Sequence, residues 1–101
     1  MHPPEDMQAV IEGKRYKVTG STLLAGDDFW DGHNHERHGR NQFLYRTKKG
    51  NFFAIHLTQW QGENDSIEPL SEQEAKELYE SLREKRVEYE DAFPGSVAEE
   101  A

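Results

Sequence analysis

The stretch that decides the fold is NQFLYRTKKGNFFAIHLTQW, residues 41–60. It holds two runs rich in aromatic and β-branched residues, separated by Lys-Lys-Gly-Asn, which contains the glycine that tight turns favour. This pattern predicts a β-hairpin. Alternation along the second run places one set of side chains on one face of the strand, namely Phe53, Ile55 and Leu57. The opposite face carries Phe52, Ala54, His56, Thr58 and Trp60. Because both faces hold apolar groups, we expect this strand to lie in the centre of a sheet.

The clearest helix start follows at Ser71. Ser71 and Glu74 form the pattern of a capping box, in which each side chain bonds the other residue's backbone amide. Apolar residues then recur at helical spacing and give a single stripe, which predicts a helix that ends near Arg83. The residues of the stripe are Ala75, Leu78, Tyr79 and Leu82.

The rest of the chain is less regular. Residues 9–18 predict a short hairpin that turns at Gly13. Residues 20–41 are punctuated by glycines and predict a long irregular segment, with one helical turn near residues 21–25. After the helix, we expect residues 87–93 to form a largely extended tail that folds back on the sheet.

Together these elements predict an α+β fold: a small antiparallel β-sheet of about four to five strands in meander order, with one C-terminal α-helix packed on one face. The 101 residues suffice for a single domain. We expect a disordered N-terminus over residues 1–7, the α+β domain over residues 8–93, and a flexible acidic C-terminus over residues 94–101.

The composition narrows the class of protein. Only 34% of residues are hydrophobic, but 11% are aromatic, which argues against a disordered chain. No apolar run approaches the roughly 20 residues that span a bilayer, and the first residues lack a signal-peptide pattern. The chain has no cysteine, so disulfides and thiol chemistry are excluded. We therefore expect a cytoplasmic protein without a membrane partner.

The charge is divided unevenly along the chain. Residues 1–60 hold 7 acidic and 8 basic side chains, whereas residues 61–101 hold 13 acidic and 4 basic ones, a net charge of −9. Such acidity disfavours direct nucleic-acid binding. Two short basic runs could still form a patch at one end of the sheet, although lysines in turns and edge strands are commonly only solubilising. Their residues are Lys14, Arg15, Lys17, Arg46, Lys48 and Lys49.

Two motifs carry a resemblance to a protein family. The hairpin segment LYRTKKGNFF, residues 44–53, and the segment IEPLSEQEA, residues 67–75, resemble small uncharacterised bacterial and mobile-element proteins. Those proteins share a YRTKKGxxF hairpin followed by PLSEEEA and a short helix. The resemblance covers residues 21–82, and it implies a compact sheet with one C-terminal helix and a bacterial or phage origin. It implies no catalytic residues.

Aromatic side chains outnumber what one short helix can cover. A helix packed on the Phe53 face leaves the opposite face to the long loop, to a second copy of the chain or to a partner protein. Aromatic side chains are frequent anchors of protein interfaces. We therefore expect a non-enzymatic, protein-binding domain whose partner is another protein or itself, as a homodimer. The candidate interface residues are Phe29, Trp30, Phe43, Tyr45, Phe52, His56 and Trp60.

The acidic helix and tail favour an alternative function. An acidic run is usually a solvated face. A rigid display of carboxylates can instead imitate the phosphates of a nucleic acid and block a DNA- or RNA-processing enzyme, as anti-restriction and anti-CRISPR inhibitors do. The candidate residues for this surface are Glu77, Glu80 and Glu84.

A weaker alternative is metal binding in residues 31–38, because imidazole nitrogens are ligands for zinc or nickel. Its candidate ligands are His33, His35 and His38. A solvated loop is the favoured interpretation, since only His56 lies elsewhere in the predicted domain. The serines lie in turns or caps, and His56 is more typical of a partly buried strand residue than of a catalytic base. We expect no enzymatic activity and no cofactor.

Overall fold

The computed structural model describes residues 3–26, 40–58 and 65–96. A five-stranded antiparallel sheet has the strand order β6-β5-β4-β3-β7, and β1 and β2 form a separate two-stranded sheet. The predicted α+β fold is thus confirmed, with β3 to β6 in meander order. The elements are β1 (Gln8–Ile11), β2 (Lys14–Lys17), β3 (Thr22–Gly26), β4 (Arg40–Arg46), β5 (Phe52–Thr58), β6 (Ser66–Leu70), α1 (Glu72–Ser81), β7 (Glu84–Lys85) and α2 (Tyr89–Ala92).

The predicted central hairpin is formed by β4 and β5. Its ladder runs from the pair Arg40 and Thr58 to the pair Arg46 and Phe52. The Gly50 amide donates to the Thr47 carbonyl at 3.0 Å, which closes the turn. Gly50 has a φ of +90°, a conformation that glycine adopts without the steric cost of a side chain. Because β6 pairs with the other edge of β5, β5 is a central strand as predicted.

The two faces of β5 belong to two separate cores. On one face, Phe52 packs with α1 and with the segment that follows it. This core is formed by Leu24, Ala25, Leu44, Phe52, Ala75, Tyr79, Leu82, Ala92 and Phe93. The helix therefore covers the Phe52 face and not the face that carries Phe53.

The β1–β2 hairpin covers the Phe53 face. The Tyr16 ring meets the Phe53 ring edge-on, with centroids 5.7 Å apart, and Phe53 stacks on Tyr45 at 5.3 Å. Phe43, Ile55 and Leu57 complete this core. A hairpin of only two strands is marginal on its own, so its contact with the sheet stabilises both.

The prediction for residues 20–26 is wrong. Instead of an irregular segment with a helical turn, they contain strand β3, which pairs with β4 and has a bulge between Leu23 and Ala25. A side chain at Gly26 would place its Cβ 2.8 Å from Phe43 Cδ1, so the glycine permits close packing on the strand. Leu24 and Ala25 are buried in the core that contains Phe52, and this burial outweighs the local turn signals. Residues 27–39 lie outside the described part of the chain.

The C-terminal segment folds back on the sheet, as expected, but it is not extended. The strand β7 pairs with β3 at the edge of the sheet, and α2 makes one short turn. Phe93 then inserts between Phe52 and Tyr79, with centroid distances of 5.2 and 5.7 Å. These elements are too short to show a helical or strand period in the sequence.

Two polar side chains fasten this segment. Arg46 Nη1 donates to the carbonyls of Asp91 and Ala92, at 2.6 and 2.8 Å. The Tyr79 hydroxyl donates to the Val87 carbonyl at 2.6 Å. Burial, followed by the nearby carboxylates of residues 88 and 90, raises the pKa of Tyr79. The hydroxyl therefore keeps the proton that this bond requires.

The sequence predicts loose termini. Residues 3–7 are described, and they contact the β1–β2 hairpin: the Val18 amide donates to the Met7 carbonyl at 3.1 Å, and the Thr19 hydroxyl donates to the Glu5 carbonyl at 2.6 Å. Residues 97–101 lie outside the described part. In the described segments, neither helix is long and apolar enough to cross a membrane.

Replacing Phe93 by Ala is expected to lower the free energy of unfolding by about 3–5 kcal/mol, because it empties a fully buried aromatic site. Urea unfolding measures the change. Val10→Ala is the control, since Val10 is 61% exposed, and we expect it to change stability by less than about 0.5 kcal/mol. A loss below about 1 kcal/mol for Phe93→Ala would contradict the packing of this segment on the sheet.

The predicted capping box is present at the start of α1. The Ser71 amide donates to Glu74 Oε1 at 2.9 Å, and the Glu74 amide donates to Ser71 Oγ at 3.1 Å. The bond from the Ser71 backbone, followed by that from its side chain, lowers the pKa of Glu74. This stabilisation is therefore complete above the unfolded-state pKa of Glu74 and is lost as pH falls through the lower folded-state value.

Ser71→Ala removes the cap and the weaker of the two bonds to Glu74. We expect it to destabilise the protein by about 0.5–2 kcal/mol, and to raise the pKa of Glu74 toward its ordinary value. Urea unfolding and an NMR titration of the Glu74 side chain measure the two effects. Ser66→Ala, at an exposed position of β6, is expected to change neither. An unchanged Glu74 titration in Ser71→Ala would show that the hydroxyl does not hold the carboxylate.

Candidate functional site

Three predicted interface residues lie in the interior. Phe43, Tyr45 and Phe52 are only 0, 5 and 8% exposed. The β1–β2 hairpin covers Phe43 and Tyr45, whereas the segment around α1 covers Phe52. They therefore do not form the predicted exposed interface, because the chain covers both faces of its own hairpin. The predicted residues Phe29, Trp30 and Trp60 lie outside the described residues.

His56 is the remaining interface candidate, and it lies in a polar row across three strands. Gln42 on β4, His56 on β5 and Glu68 on β6 occupy neighbouring positions on the same face of the sheet as Phe52. His56 Nε2 lies 2.8 Å from Glu68 Oε1, and His56 Nδ1 lies 3.3 Å from Gln42 Nε2. The His56 side chain is about one-third exposed.

The partners of His56 determine what its ring can do. A carboxylate only accepts hydrogen bonds, so His56 Nε2 carries the proton and donates to Glu68. In the neutral ring, Nδ1 then accepts from the Gln42 amide. Both ring nitrogens of His56 therefore have a protein partner.

The three candidate carboxylates of the acidic surface differ in exposure and in ion pairing. Glu77 and Glu80 are exposed on α1. Glu84 is half-buried and pairs with Arg86 Nη2 at 2.6 Å. An ion-paired carboxylate presents less negative charge to a partner, so the predicted surface is less continuous than the sequence alone indicates.

The predicted metal ligands His33, His35 and His38 lie outside the described residues. Among the residues that are described, no group of three histidine, aspartate or glutamate side chains is arranged to hold a metal ion. Metal binding by residues 31–38 therefore stays a prediction.

A cleft of about 510 Å³ lies between the β1–β2 hairpin and the turn that joins β4 to β5. One wall comes from residues 13–21 and the other from residues 47–51. The two segments are about 30 positions apart in the sequence, and they meet because the hairpin packs on the sheet through Tyr16. Among the described residues that line the cleft, five are cationic and none carries a carboxylate. The five are Lys14, Arg15, Lys17, Lys48 and Lys49.

The walls of the cleft approach each other closely at Gly20. This residue has a φ of +85°, and a Cβ built on it would lie 3.4 Å from Lys48 Cε and 3.7 Å from Lys48 Nζ. The side chain of Lys48 therefore crosses from its own wall to the opposite one. A cation from the turn is thereby placed against the wall that follows β2.

The hydroxyl groups in the cleft are largely engaged by the backbone. Thr19 donates to the Glu5 carbonyl, and Ser21 donates to the Lys17 carbonyl at 2.7 Å. Thr47 Oγ1 accepts from the Asn51 amide at 3.0 Å, which leaves its own hydrogen to donate. The cleft therefore offers a ligand mainly charge from ammonium and guanidinium groups.

The five cations of the cleft have no ion pair with a described residue, in contrast to cations elsewhere in the structure. Lys76 pairs with Glu72 at 3.4 Å, and Arg86 pairs with Glu84. Arg46, the sixth residue of the predicted basic patch, is held by the carbonyls of α2 and does not line the cleft. The structure thus brings five of the six predicted residues into one site.

Comparison with protein-family models, with curated proteins and with solved structures gives no match for this chain. The resemblance to small bacterial and mobile-element proteins stays an expectation, although the sheet and helix that it implies are present.

In alkaline buffer, we expect the neutral ring of His56 to carry its proton mainly on Nε2, because Glu68 accepts a hydrogen bond from this nitrogen. Nitrogen-15 NMR of the imidazole distinguishes the two neutral forms. Glu68→Gln keeps the shape of the side chain but removes its charge, so we expect a mixture of the two forms in this variant. A dominant Nδ1-protonated ring in the unmodified protein would contradict the arrangement of the row.

Proposed function

We propose that this protein is a non-enzymatic binding domain, and that its basic cleft receives an acidic segment of another protein. The observation that carries the proposal is the group of five cations that line one cleft without a described counter-ion. They lie in a chain whose formal charge is −8. The partner is thus a different one from the apolar partner that exposed aromatic residues would attract.

Electrostatics explains why such a cleft supports ligand binding. Like charges that converge on one volume repel each other, and the walls of a cleft focus their field into it. An anion that enters relieves this repulsion. Single lysines scattered over a surface have no such effect, since water and salt screen them. The convergence of residues from two walls therefore favours a binding site over simple solubilisation.

The extent of the cleft favours a protein segment over a nucleic acid. Strong binding to a nucleic acid uses cations spread along several phosphates. Outside the cleft, Lys76 and Arg86 are already paired with carboxylates. A long polyanion would also meet the repulsion of the acidic C-terminal region. Binding of single strands further uses exposed aromatic rings, whereas Tyr16 is only 7% exposed and packs on Phe53.

The engaged hydroxyl and imidazole groups support a role without catalysis. Ser21 and Thr19 donate to backbone carbonyls, and both nitrogens of His56 have partners. A hydroxyl nucleophile needs a base within hydrogen-bond reach. Among the described residues of the cleft there is no histidine or carboxylate to act as that base.

The same proposal includes the other expectations about partners. A second copy of this chain is a partner of matching chemistry, because residues 61–101 carry a net charge of −9. A cytoplasmic location fits a chain without cysteine. Binding experiments test self-association of the chain, and localisation experiments test the cytoplasmic location.

Lys48→Gln with Lys49→Gln is expected to weaken binding of a fluorescent peptide of eight Asp and Glu residues by about tenfold or more, since two charge contacts are lost. Fluorescence anisotropy measures the dissociation constant. The matched control is Gln73→Glu with Ser66→Glu, which changes the net charge by the same two units away from the cleft. We expect this control to change the affinity by less than about threefold.

Two results would contradict the proposal. One is equal weakening by both pairs of substitutions, which would show a response to net charge alone. The other is tighter binding of an eight-nucleotide oligothymidylate than of the acidic peptide, which would indicate a nucleic-acid ligand. Reversal of Glu77 and Glu80 to Lys in the same assay is expected to leave peptide binding intact, because these residues lie on α1, across the sheet from the cleft.

A further inference from the structure

We infer that the cleft binds a phosphoryl group, carried by a phosphorylated serine or threonine within the partner's acidic segment. This inference rests on the proposed function and names the group that occupies the site. It follows from the density of positive charge in the cleft and from the types of cation present. It follows also from the described lining residues, which offer no exposed ring on which a base could stack.

The density of charge favours phosphate over carboxylate. Five cations line a volume of about 510 Å³, which is in the range of a site for a small ligand. Only a short piece of a peptide fits in such a volume. Each carboxylate brings one negative charge, whereas one phosphoryl group brings about −1.5 to −2 together with three strong acceptor oxygens. A phosphorylated residue therefore brings more negative charge into this space than an aspartate or a glutamate does.

The donors of the cleft also suit a phosphoryl group. Four of the five cations are lysines, which bind phosphate as point charges through rotatable donors, and Arg15 adds a planar fork of donors. Cationic residues from both walls line the same volume, and Lys48 reaches across to Gly20. The hydroxyl of Thr47 keeps a hydrogen that it can donate, since its oxygen accepts from Asn51.

The surroundings of the cleft favour a phosphorylated side chain over a nucleotide. A nucleotide site usually has an apolar or aromatic surface for the base. Tyr16 is the aromatic residue among the described lining of the cleft, and its ring packs against Phe53 in the core on that face of the sheet. The rest of the lining is polar or glycine. A peptide needs no such surface, because its chain can continue outward from the open cleft.

The test uses the full chain and three synthetic peptides that share glycine ends. The first holds one phosphoserine between two aspartates, the second holds serine in its place, and the third holds four aspartates, with the same total charge as the first. Isothermal titration calorimetry measures each affinity. We expect the phosphopeptide to bind at least about tenfold more tightly than the serine peptide, and also more tightly than the peptide of equal charge.

Variants locate the effect in the cleft. Lys48→Gln with Lys49→Gln is expected to abolish the preference for the phosphopeptide, whereas Gln73→Glu with Ser66→Glu is expected to retain it. Circular dichroism spectra and urea unfolding confirm that each variant is folded. Inorganic phosphate at millimolar concentration should compete with the phosphopeptide, and sodium chloride of the same ionic strength should compete less.

The outcomes separate this inference from the proposed function. Equal affinity for the phosphopeptide and for the peptide of four aspartates would overturn the phosphoryl inference and leave an acidic-segment site. Failure of all three peptides to bind would overturn both. Tighter binding of adenosine monophosphate than of the phosphopeptide would overturn the inference in favour of a nucleotide site.

Discussion

The burial of strand β5 on both of its faces is the constraint on which the rest of the structure depends. Phe52 and Phe53 are consecutive residues that point to opposite sides, and both are almost fully buried. A strand of this kind needs a cover on each side of the sheet. The chain supplies one cover after the strand, as α1 and the segment that ends at Phe93, and the other before it, as the β1–β2 hairpin.

The cleft is a consequence of this double cover. The β1–β2 hairpin is held by Tyr16 against the sheet, and its cationic residues then lie beside the lysines of the central turn. Acidic side chains are concentrated in the cover on the other side, on and after α1. The sheet thus separates a basic site from an acidic surface, which lets a chain of negative net charge present a local site for an anion.

The parts of the fold that the sequence predicts correctly have local causes. The hairpin follows from alternation around the glycine of its turn, and the start of α1 follows from the reciprocal bonds of Ser71 and Glu74. The sequence does not predict strand β3, because its bulge and Gly26 resemble a loop and its burial depends on distant residues. The side of the sheet covered by α1 depends on Phe93 and on the β1–β2 hairpin, which no local pattern specifies.

The basic cleft likewise has a part that local sequence predicts and a part that depends on contacts between distant residues. The sequence shows two basic runs and permits a patch, but a cleft requires the packing of Tyr16 on Phe53 and the diversion of Arg46 to the carbonyls of α2. The aromatic content suggests a protein interface, because aromatic rings are frequent anchors of such interfaces. The structure instead places Phe43 and Tyr45 in a core that the chain covers by itself.

The most direct test of the basic cleft as the binding site is a map of backbone amide shifts. These shifts are recorded by NMR while the acidic peptide is added to the isotopically labelled protein. If the basic cleft binds the peptide, the largest changes fall in residues 13–21 and 47–51, with small changes along α1. Changes concentrated on α1, or spread evenly over the surface, would contradict the claim that the basic cleft is the functional site.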